Sequence, residues 1–312
     1  MGQIVFAAAA SHTAQMIRAA AVLDETQRGA IYGAWETLRI NLEASHPDAL
    51  IVAASEHFKT FHLDNMPSFC IGLGDRTRAW GEGGVPKYEI PLHRALGDAL
   101  LEGLLEAGHD VAYSRDMPLD HGFACPLHFL TPTMKLPVVP IFVNCYAPPL
   151  PAMRRCLAMG QALASVIARS DAATRVAVIG TGGLSHWIPA PRFGAGADEE
   201  DAQMIAAMTH PGHDDIYTDL VLRRVKQMSQ QGSARVNEEF DREVMDALAS
   251  GKAAALAERG TPWVEEHGGN GGQEIRNWLF IAGAAGQRPA SVVAYQPVRR
   301  WLTGIGFMQW RM

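Results

Sequence analysis

Three histidines each follow an apolar segment with the composition of a buried β-strand: His12, His57 and His186. A single histidine in such a place is most often an ordinary loop residue. Because the carboxyl ends of parallel strands line the functional crevice of an α/β sheet, three of them together predict a common site. Imidazole can bind a metal ion, and it can exchange protons near neutral pH. Both kinds of chemistry are therefore candidates.

A glycine-rich segment from Gly268 to Gly272 precedes Glu274 and a helix-like apolar segment. A carboxylate is favoured near a helix start, so helix capping is one interpretation of Glu274. The glycines allow close approach of the backbone to another group, so a metal ligand is the other interpretation. With His12 and His57, Glu274 would complete a two-histidine, one-carboxylate set. Such a set suits non-haem Fe(II), because three ligands on one face leave positions open for substrate and dioxygen.

A further imidazole stands in the turn-like segment Asp120-His121-Gly122. This segment either forms an ordinary turn or places a titratable imidazole on a loop. Several familiar functional motifs are incomplete or absent in the sequence. Ser185 stands where a dinucleotide fingerprint beginning at Gly180 needs its third glycine. The chain also lacks a phosphate-binding P-loop, a complete nucleophile elbow and a zinc-peptidase helix motif.

The elements that must position these residues alternate between apolar strands and amphipathic helices. This alternation predicts an α/β fold with a largely parallel central sheet, helices on both faces and the site at the carboxyl ends of the strands. Pro140 is awkward inside one strand and indicates an edge strand or a late start. The predicted strands cover 4–9, 49–54, 138–145 and 176–179, and the predicted helices cover 24–44, 91–107, 153–170 and 273–285.

The domain organisation follows from the same pattern. Residues 1–312 form a single predicted catalytic domain, because no segment rich in Pro, Gly or Ser divides the chain. The more polar stretch 189–237 is expected to be a lid or a helical insertion.

Composition excludes several classes of function. A net charge of −6, from 27 Lys+Arg and 33 Asp+Glu, argues against a nucleic-acid partner. No apolar run reaches the roughly 18 residues of a membrane span. The amino terminus lacks the basic residues of a signal peptide, and the four cysteines show no paired spacing. A cytoplasmic protein that does not interact with membranes is expected.

Five segments resemble the class III extradiol ring-cleaving dioxygenases, the superfamily of the protocatechuate 4,5-dioxygenase catalytic subunit. They occur in the family's order and span nearly the whole chain: Ser11-His12-Thr13, Ser55-Glu56-His57-Phe58, Asp120–Ala124, Gly180–His186 and Gly272–Trp278. The chain length is similar to that of the 2,3-dihydroxyphenylpropionate 1,2-dioxygenases.

The resemblance implies a role for each matched position. His12, His57 and Glu274 would be the ligands of Fe(II), His186 the acid–base catalyst and His121 a second active-site histidine. The substrates would be dioxygen and an aromatic diol, either a catechol, a gallate or a dihydroxypyridine, and the product a ring-opened semialdehyde. Family members are often oligomeric, so a homo-oligomer is expected. Two alternatives stay open: a zinc-dependent hydrolase with the same ligands, and a metal-free relative that only binds.

Overall fold

The structure is a computed structural model that describes residues 1–230 and 235–312. Its strands are β1 (Gln3–Ala10), β2 (Ala49–Ala54), β3 (Phe69–Gly72), β4 (Arg76–Arg78), β5 (Glu89–Pro91), β6 (Ala112–Ser114), β7 (Val138–Val143), β8 (Arg175–Thr181), β9 (Ala290–Val298) and β10 (Thr303–Trp310). Its α-helices are α1 (Gln15–Arg18), α2 (Glu25–Ala44), α3 (Arg94–Glu106), α4 (His121–Leu130), α5 (Met153–Arg169), α6 (Glu199–Thr209), α7 (Asp214–Gln230), α8 (Glu238–Ala249), α9 (Ala253–Ala257), α10 (Gly260–Gly268) and α11 (Ile275–Ala284). Short 3₁₀ helices cover Ala20–Val22, Gly271–Glu274 and Arg299–Trp301.

An eight-stranded sheet with the order β6-β3-β7-β2-β8-β1-β10-β9 forms the centre of the fold. The four consecutive strands β7, β2, β8 and β1 are all parallel to one another. Antiparallel pairs join β3 to β7, β10 to β1 and β9 to β10, whereas β6 pairs parallel with β3. The predicted fold class is confirmed, with a parallel centre and antiparallel additions on both sides.

Helices cover both faces of this sheet, as the continuously apolar strands require. All six residues of β2 are buried. Ile51 belongs to the core that also contains Leu163 of α5 and Ile281 of α11. Val52 belongs to the opposite core, with Leu38 of α2. Alternate side chains of one strand therefore pack against different helical layers.

Two prolines differ from expectation. Pro140 lies in β7, which is an interior strand and not an edge. It is tolerated because the pairing of β7 with β3 ends at Ile141, and Gly72 has no Cβ, which would lie 2.6 Å from the Pro140 ring. Pro91 was expected in the first turn of a helix but ends β5. Helix α3 starts later, where the His93 ring accepts a hydrogen bond from the Leu96 N–H.

The polar stretch 189–237, for which a lid or a helical insertion was expected, contains the helices α6 and α7, and its residues 231–234 lie outside the described residues. Asp201, buried in α6, forms ion pairs with Arg192 and Arg224 and ties this stretch together. Within the described ranges, no helix is long and apolar enough to cross a membrane.

Candidate metal centre and active site

Four parallel strands deliver their carboxyl-terminal loops to one edge of the sheet. His12 follows β1, His57 follows β2, Tyr146 follows β7 and His186 follows β8. All four side chains line one cavity of about 480 Å³. His121 and Glu274 line the same cavity. The structure therefore brings together all five side chains that the sequence singled out.

Three imidazoles form a compact cluster in this cavity. Ring nitrogens of His12, His57 and His121 lie within 4.8 Å of one another, a spacing suited to holding a metal ion. The rings of His57 and His121 stack with their centroids 4.1 Å apart. Glu274 joins the cluster through its Oε1, which lies 3.8 Å from the Nε2 of His12. The donor set contains both imidazole and carboxylate groups.

Glu274 is a fully buried carboxylate whose basic neighbours in the described ranges are histidines. Its Oε1 accepts a hydrogen bond from the Ser55 hydroxyl (2.8 Å), and its Oε2 accepts one from the Gly183 N–H (2.7 Å). The side chain does not cap α11. Burial opposes ionisation, but the nearby histidines outweigh it and lower the pKa of Glu274. In the described part of the chain no Lys or Arg pairs with it, and a buried charge needs either such a partner or a metal ion.

Two glycines of the sequence motifs make room for the site. Gly182 has a φ of +139°, and a Cβ on it would lie 2.5 Å from the Cβ of Glu274. A Cβ on Gly271 would lie 2.2 Å from the Nε2 of His186. Any larger residue at these positions would displace a functional side chain, which explains the glycine-rich pattern around Glu274 and His186.

The two candidate metal-binding histidines, His57 and His12, differ in the hydrogen bonding of their Nδ1 atoms. Asp120 accepts hydrogen bonds from the His57 backbone N–H (2.9 Å) and from the His57 Nδ1 (2.6 Å). Since a carboxylate only accepts, Nδ1 carries a proton, and Nε2 is the ring nitrogen left for a metal ion. Burial lowers the pKa of His12 to about 4, and its Nδ1 is buried without a hydrogen-bond partner in the described ranges. Burial thus favours the neutral form of His12, which is the form suited to coordination.

Glu56 anchors the loop that carries His57. Its carboxylate accepts hydrogen bonds from the four backbone N–H groups of residues 58–61. These bonds stabilise a tight turn in which Phe58 has a φ of +57°. Burial, followed by the charge of Asp120, raises the pKa of Glu56. The hydrogen bonds to Glu56 therefore fix the conformation of the loop that follows His57.

His186 and His121 have contrasting electrostatic surroundings. The Nδ1 of His186 lies 3.1 Å from the carbonyl of Leu184, so Nδ1 carries the proton and Nε2 is free. Burial lowers the pKa of His186. Burial also opposes charge on His121, but the hydrogen bond with Glu82 (2.9 Å) and the charge of Asp120 outweigh it and raise its pKa. His186 is thus suited to accept a proton, and His121 to hold one.

The outer cavity combines an apolar wall with basic residues at the mouth. Helix α7 contributes Tyr217, Val221, Leu222 and Val225 to the wall. The cations that line the cavity are Arg18, Lys59 and Arg300. Arg18 and Arg300 are exposed, and their hydrogen-bond partners are neutral oxygens of Gln15 and Val22. Neither forms an ion pair with a carboxylate of the described chain.

Three residues near the site were missed by the sequence reasoning. Glu82 lies between Gly81 and Gly83, a pattern that could have indicated a loop whose backbone approaches another part of the chain closely. Tyr146 follows a predicted strand, which was a usable signal. Asp241 had none: it accepts hydrogen bonds from the backbone and hydroxyl of Ser185 and from Tyr295, and burial raises its pKa to about 6. These bonds support the loop that carries His186.

Comparison with known proteins agrees with this geometry. A family model described as the catalytic LigB subunit of aromatic ring-opening dioxygenase matches residues 7–306. A 2,3-dihydroxyphenylpropionate/2,3-dihydroxicinnamic acid 1,2-dioxygenase of Photorhabdus laumondii is 32% identical over 269 residues, which cover 84% of each chain. A protein of the same name from Escherichia coli O81 is 31% identical over 302 residues, 93% of this chain and 92% of its own.

A solved structure supports the fold. The crystal structure of an uncharacterized protein from Escherichia coli K12 matches with a TM-score of 0.55 and 15% identity, over 97% of this chain and 99% of that one. At this identity the match concerns architecture alone. The sequence matches confirm the expected enzyme class, an extradiol ring-cleaving dioxygenase: the chain belongs to the family of the catalytic LigB subunit of aromatic ring-opening dioxygenases.

Proposed function

We propose that this dioxygenase uses Fe(II) held by His12, His57 and Glu274, and that it opens the ring of a catechol-type diol that bears a carboxylate. The observation that carries the proposal is the buried carboxylate of Glu274, which lies 3.8 Å from His12 and has no Lys or Arg partner in the described ranges. Two neutral imidazoles and one carboxylate leave a divalent ion with a net charge of about +1, which favours an anionic diol.

The donors fit a redox-active metal of intermediate softness. Imidazole and carboxylate groups suit Fe(II), and a three-ligand site leaves positions for both substrates. The chemistry that bound Fe(II) supplies is the transfer of electron density from a coordinated diol to dioxygen, with both reactants aligned. Hydrogen bonds from Ser55 and Gly183 hold Glu274 in place, and a hydrogen bond with Asp120 holds His57.

The proton transfers are assigned to two histidines. His186, which lines the cavity, takes a proton from a diol hydroxyl at its free Nε2, which lies 3.9 Å from the Oε2 of Glu274. His121 holds a proton for later donation, because Glu82 (2.9 Å) and Asp120 (3.7 Å) both stabilise its charged form. Base and acid thus stand on separate residues, each with the partner that its role requires.

The basic mouth supports a substrate with an anionic substituent. Arg18 and Arg300 line the cavity, are exposed and have no carboxylate partners in the described ranges, whereas the proposed ligands His12 and Glu274 are buried. A diol bound at the inner end would direct a ring substituent towards these guanidinium groups, which recognise carboxylates well. The relatives named for dihydroxyphenylpropionate act on a diol of this kind.

Helix α7 completes the enclosure. Its apolar residues form one wall of the cavity, so the insertion that contains α6 and α7 would act as a cover that excludes water from the reacting ring. On this proposal the sheet domain and its insertion form one catalytic domain over residues 1–312.

Metal replacement tests the proposal. Protein stripped with a chelator and reloaded anaerobically with Fe(II) should consume oxygen and produce a yellow ring-opened compound from 2,3-dihydroxyphenylpropionate. The Zn(II)-loaded protein should do neither. Hydrolysis of an ester or amide by the Zn(II) form, with no oxygen consumption by the Fe(II) form, would favour a zinc hydrolase instead.

Replacement of Asp120 by asparagine should weaken metal binding without unfolding the protein. Asparagine keeps the shape but loses the charge that fixes the His57 tautomer, and loss of such a partner reduces metal affinity by about 10- to 100-fold. Competition with a chromophoric chelator measures this affinity. The exposed Asp116→Asn variant, which loses only a surface ion pair with Arg78, serves as control. Equal affinities in both variants would remove Asp120 from the metal centre.

Replacement of Arg300 by glutamine should affect only charged substrates. We expect KM for 2,3-dihydroxyphenylpropionate to rise about tenfold, or about 1.4 kcal/mol, as one charge-assisted hydrogen bond is lost. KM for uncharged 3-methylcatechol should stay unchanged. Arg299→Gln is the matched control, because Arg299 pairs with Glu238 and does not line this cavity. A parallel rise for both substrates would contradict a carboxylate contact.

A further inference from the structure

The hydroxyl of Tyr146 is an unpaired polar group in the wall of the cavity. It is buried and has no hydrogen-bond partner among the described residues. Buried polar groups in folded proteins nearly always have a partner, and each one left without costs about 1–3 kcal/mol. The aromatic ring lines the same cavity as His57 and Glu274. A molecule bound in this cavity would supply the missing partner.

The orientation of Tyr146 is fixed by its surroundings. Its backbone N–H donates a hydrogen bond to the Oδ1 of Asn144 (3.2 Å). The Asn144 side chain also accepts a hydrogen bond from the Ala147 N–H and donates one to the Ala147 carbonyl. The ring lies 5.0 Å from the ring of His57. It also packs against an apolar cluster that contains Phe58 and Met204. The hydroxyl is therefore held in position before a ligand arrives, as a binding group must be.

The polar atoms near Tyr146 already have other hydrogen-bond partners. Both oxygens of Glu274 accept hydrogen bonds, from Ser55 and Gly183, and the Nδ1 of His57 is bonded to Asp120. Burial, followed by the charge of Glu274 and a side-chain interaction with it, raises the pKa of Tyr146, so the two groups lie close together, but their arrangement does not meet the geometry of a hydrogen bond. The phenolic O–H thus remains as a donor next to the residues that would hold the metal, where an anionic oxygen of the diol would lie.

We propose that the Tyr146 hydroxyl donates a hydrogen bond to the deprotonated oxygen of the bound diol. This inference rests on the proposed function, since it assumes that a diol occupies the inner cavity. It adds a substrate-binding residue to the two histidines that move protons. A phenol suits the task, because it donates a hydrogen bond without contributing a charge of its own.

Anaerobic binding separates this role from a structural one. Wild-type, Tyr146→Phe and Tyr88→Phe proteins are loaded with Fe(II) under nitrogen and titrated with 2,3-dihydroxyphenylpropionate. Phenylalanine keeps the ring and its packing, and loss of a hydrogen bond to a charged oxygen should weaken binding about 10- to 100-fold. Tyr88 is the control, because its hydroxyl bonds His128 outside the cavity. Iron content, measured in the same samples, should be equal in all three proteins.

Two results would overturn the role of Tyr146. One is an unchanged dissociation constant in Tyr146→Phe. The other is a loss of iron whose restoration by excess Fe(II) also restores wild-type affinity, because Tyr146 would then act by holding Glu274. Failure of the wild-type Fe(II) protein to bind any diol would instead overturn the proposed function itself, and the inference with it.

Discussion

Replacing Glu274 by glutamine is expected to yield a folded protein that no longer retains Fe(II) and has no measurable ring cleavage. Glutamine has nearly the same volume, so Gly182 can still pack against it. The amide cannot supply the negative charge that compensates a divalent ion in this buried place. Loss of a residue that only supports a ligand reduces metal affinity by about 10- to 100-fold, so loss of a ligand should exceed about 100-fold.

Iron content after anaerobic loading and dialysis gives the measurement. The matched control is Glu266→Gln, since the Glu266 side chain is 78% exposed and lies only a short distance along the chain. The control should retain wild-type iron and activity. Wild-type iron content in Glu274→Gln would show that the carboxylate is not a ligand, and would point instead to the cluster formed by His12, His57 and His121.

Replacing His186 by alanine should separate turnover from metal binding. We expect iron and diol binding to persist, because His186 is not among the proposed ligands. Turnover should fall by about 10²- to 10⁴-fold, the range that a positioned acid–base group contributes. The physical reason is the free Nε2, which the Leu184 carbonyl enforces by accepting the Nδ1 proton.

Single-turnover kinetics of the Fe(II)-loaded variant measure this loss. His186→Gln should behave like His186→Ala, which excludes an effect of the space left by the ring between Gly183 and Gly271. The control His210→Ala removes an exposed imidazole and should leave kcat unchanged. Near-normal turnover in both His186 variants would end its assignment as the base.

The positions of the functional histidines could be predicted from the sequence because the fold is locally encoded. Four apolar runs became the parallel strands β1, β2, β7 and β8, and parallel strands must end at the same edge. His12, His57 and His186 thereby converge whatever the details of the loops. Glu274 could be found because the glycine-rich segment that precedes it, Gly268 to Gly272, is visible in the sequence.

Other parts of the site depend on contacts between distant segments. Glu82 meets His121 from 39 positions away, and Asp241 supports Ser185 from 56 positions away. No periodicity or motif encodes such pairs, because each depends on the final packing of loops. The interior place of Pro140 was hidden for the same reason: it depends on Gly72 in a neighbouring strand.

The number of oxygen molecules consumed per diol tests the central claim most directly. An oxygen electrode and product absorbance are recorded together while Fe(II)-loaded protein acts on a limiting amount of 2,3-dihydroxyphenylpropionate. The account predicts one molecule of dioxygen consumed for each ring opened, with a yellow product that carries both oxygen atoms. Oxygen consumption without a ring-opened product, or no consumption with any catechol, gallate or dihydroxypyridine, would contradict it.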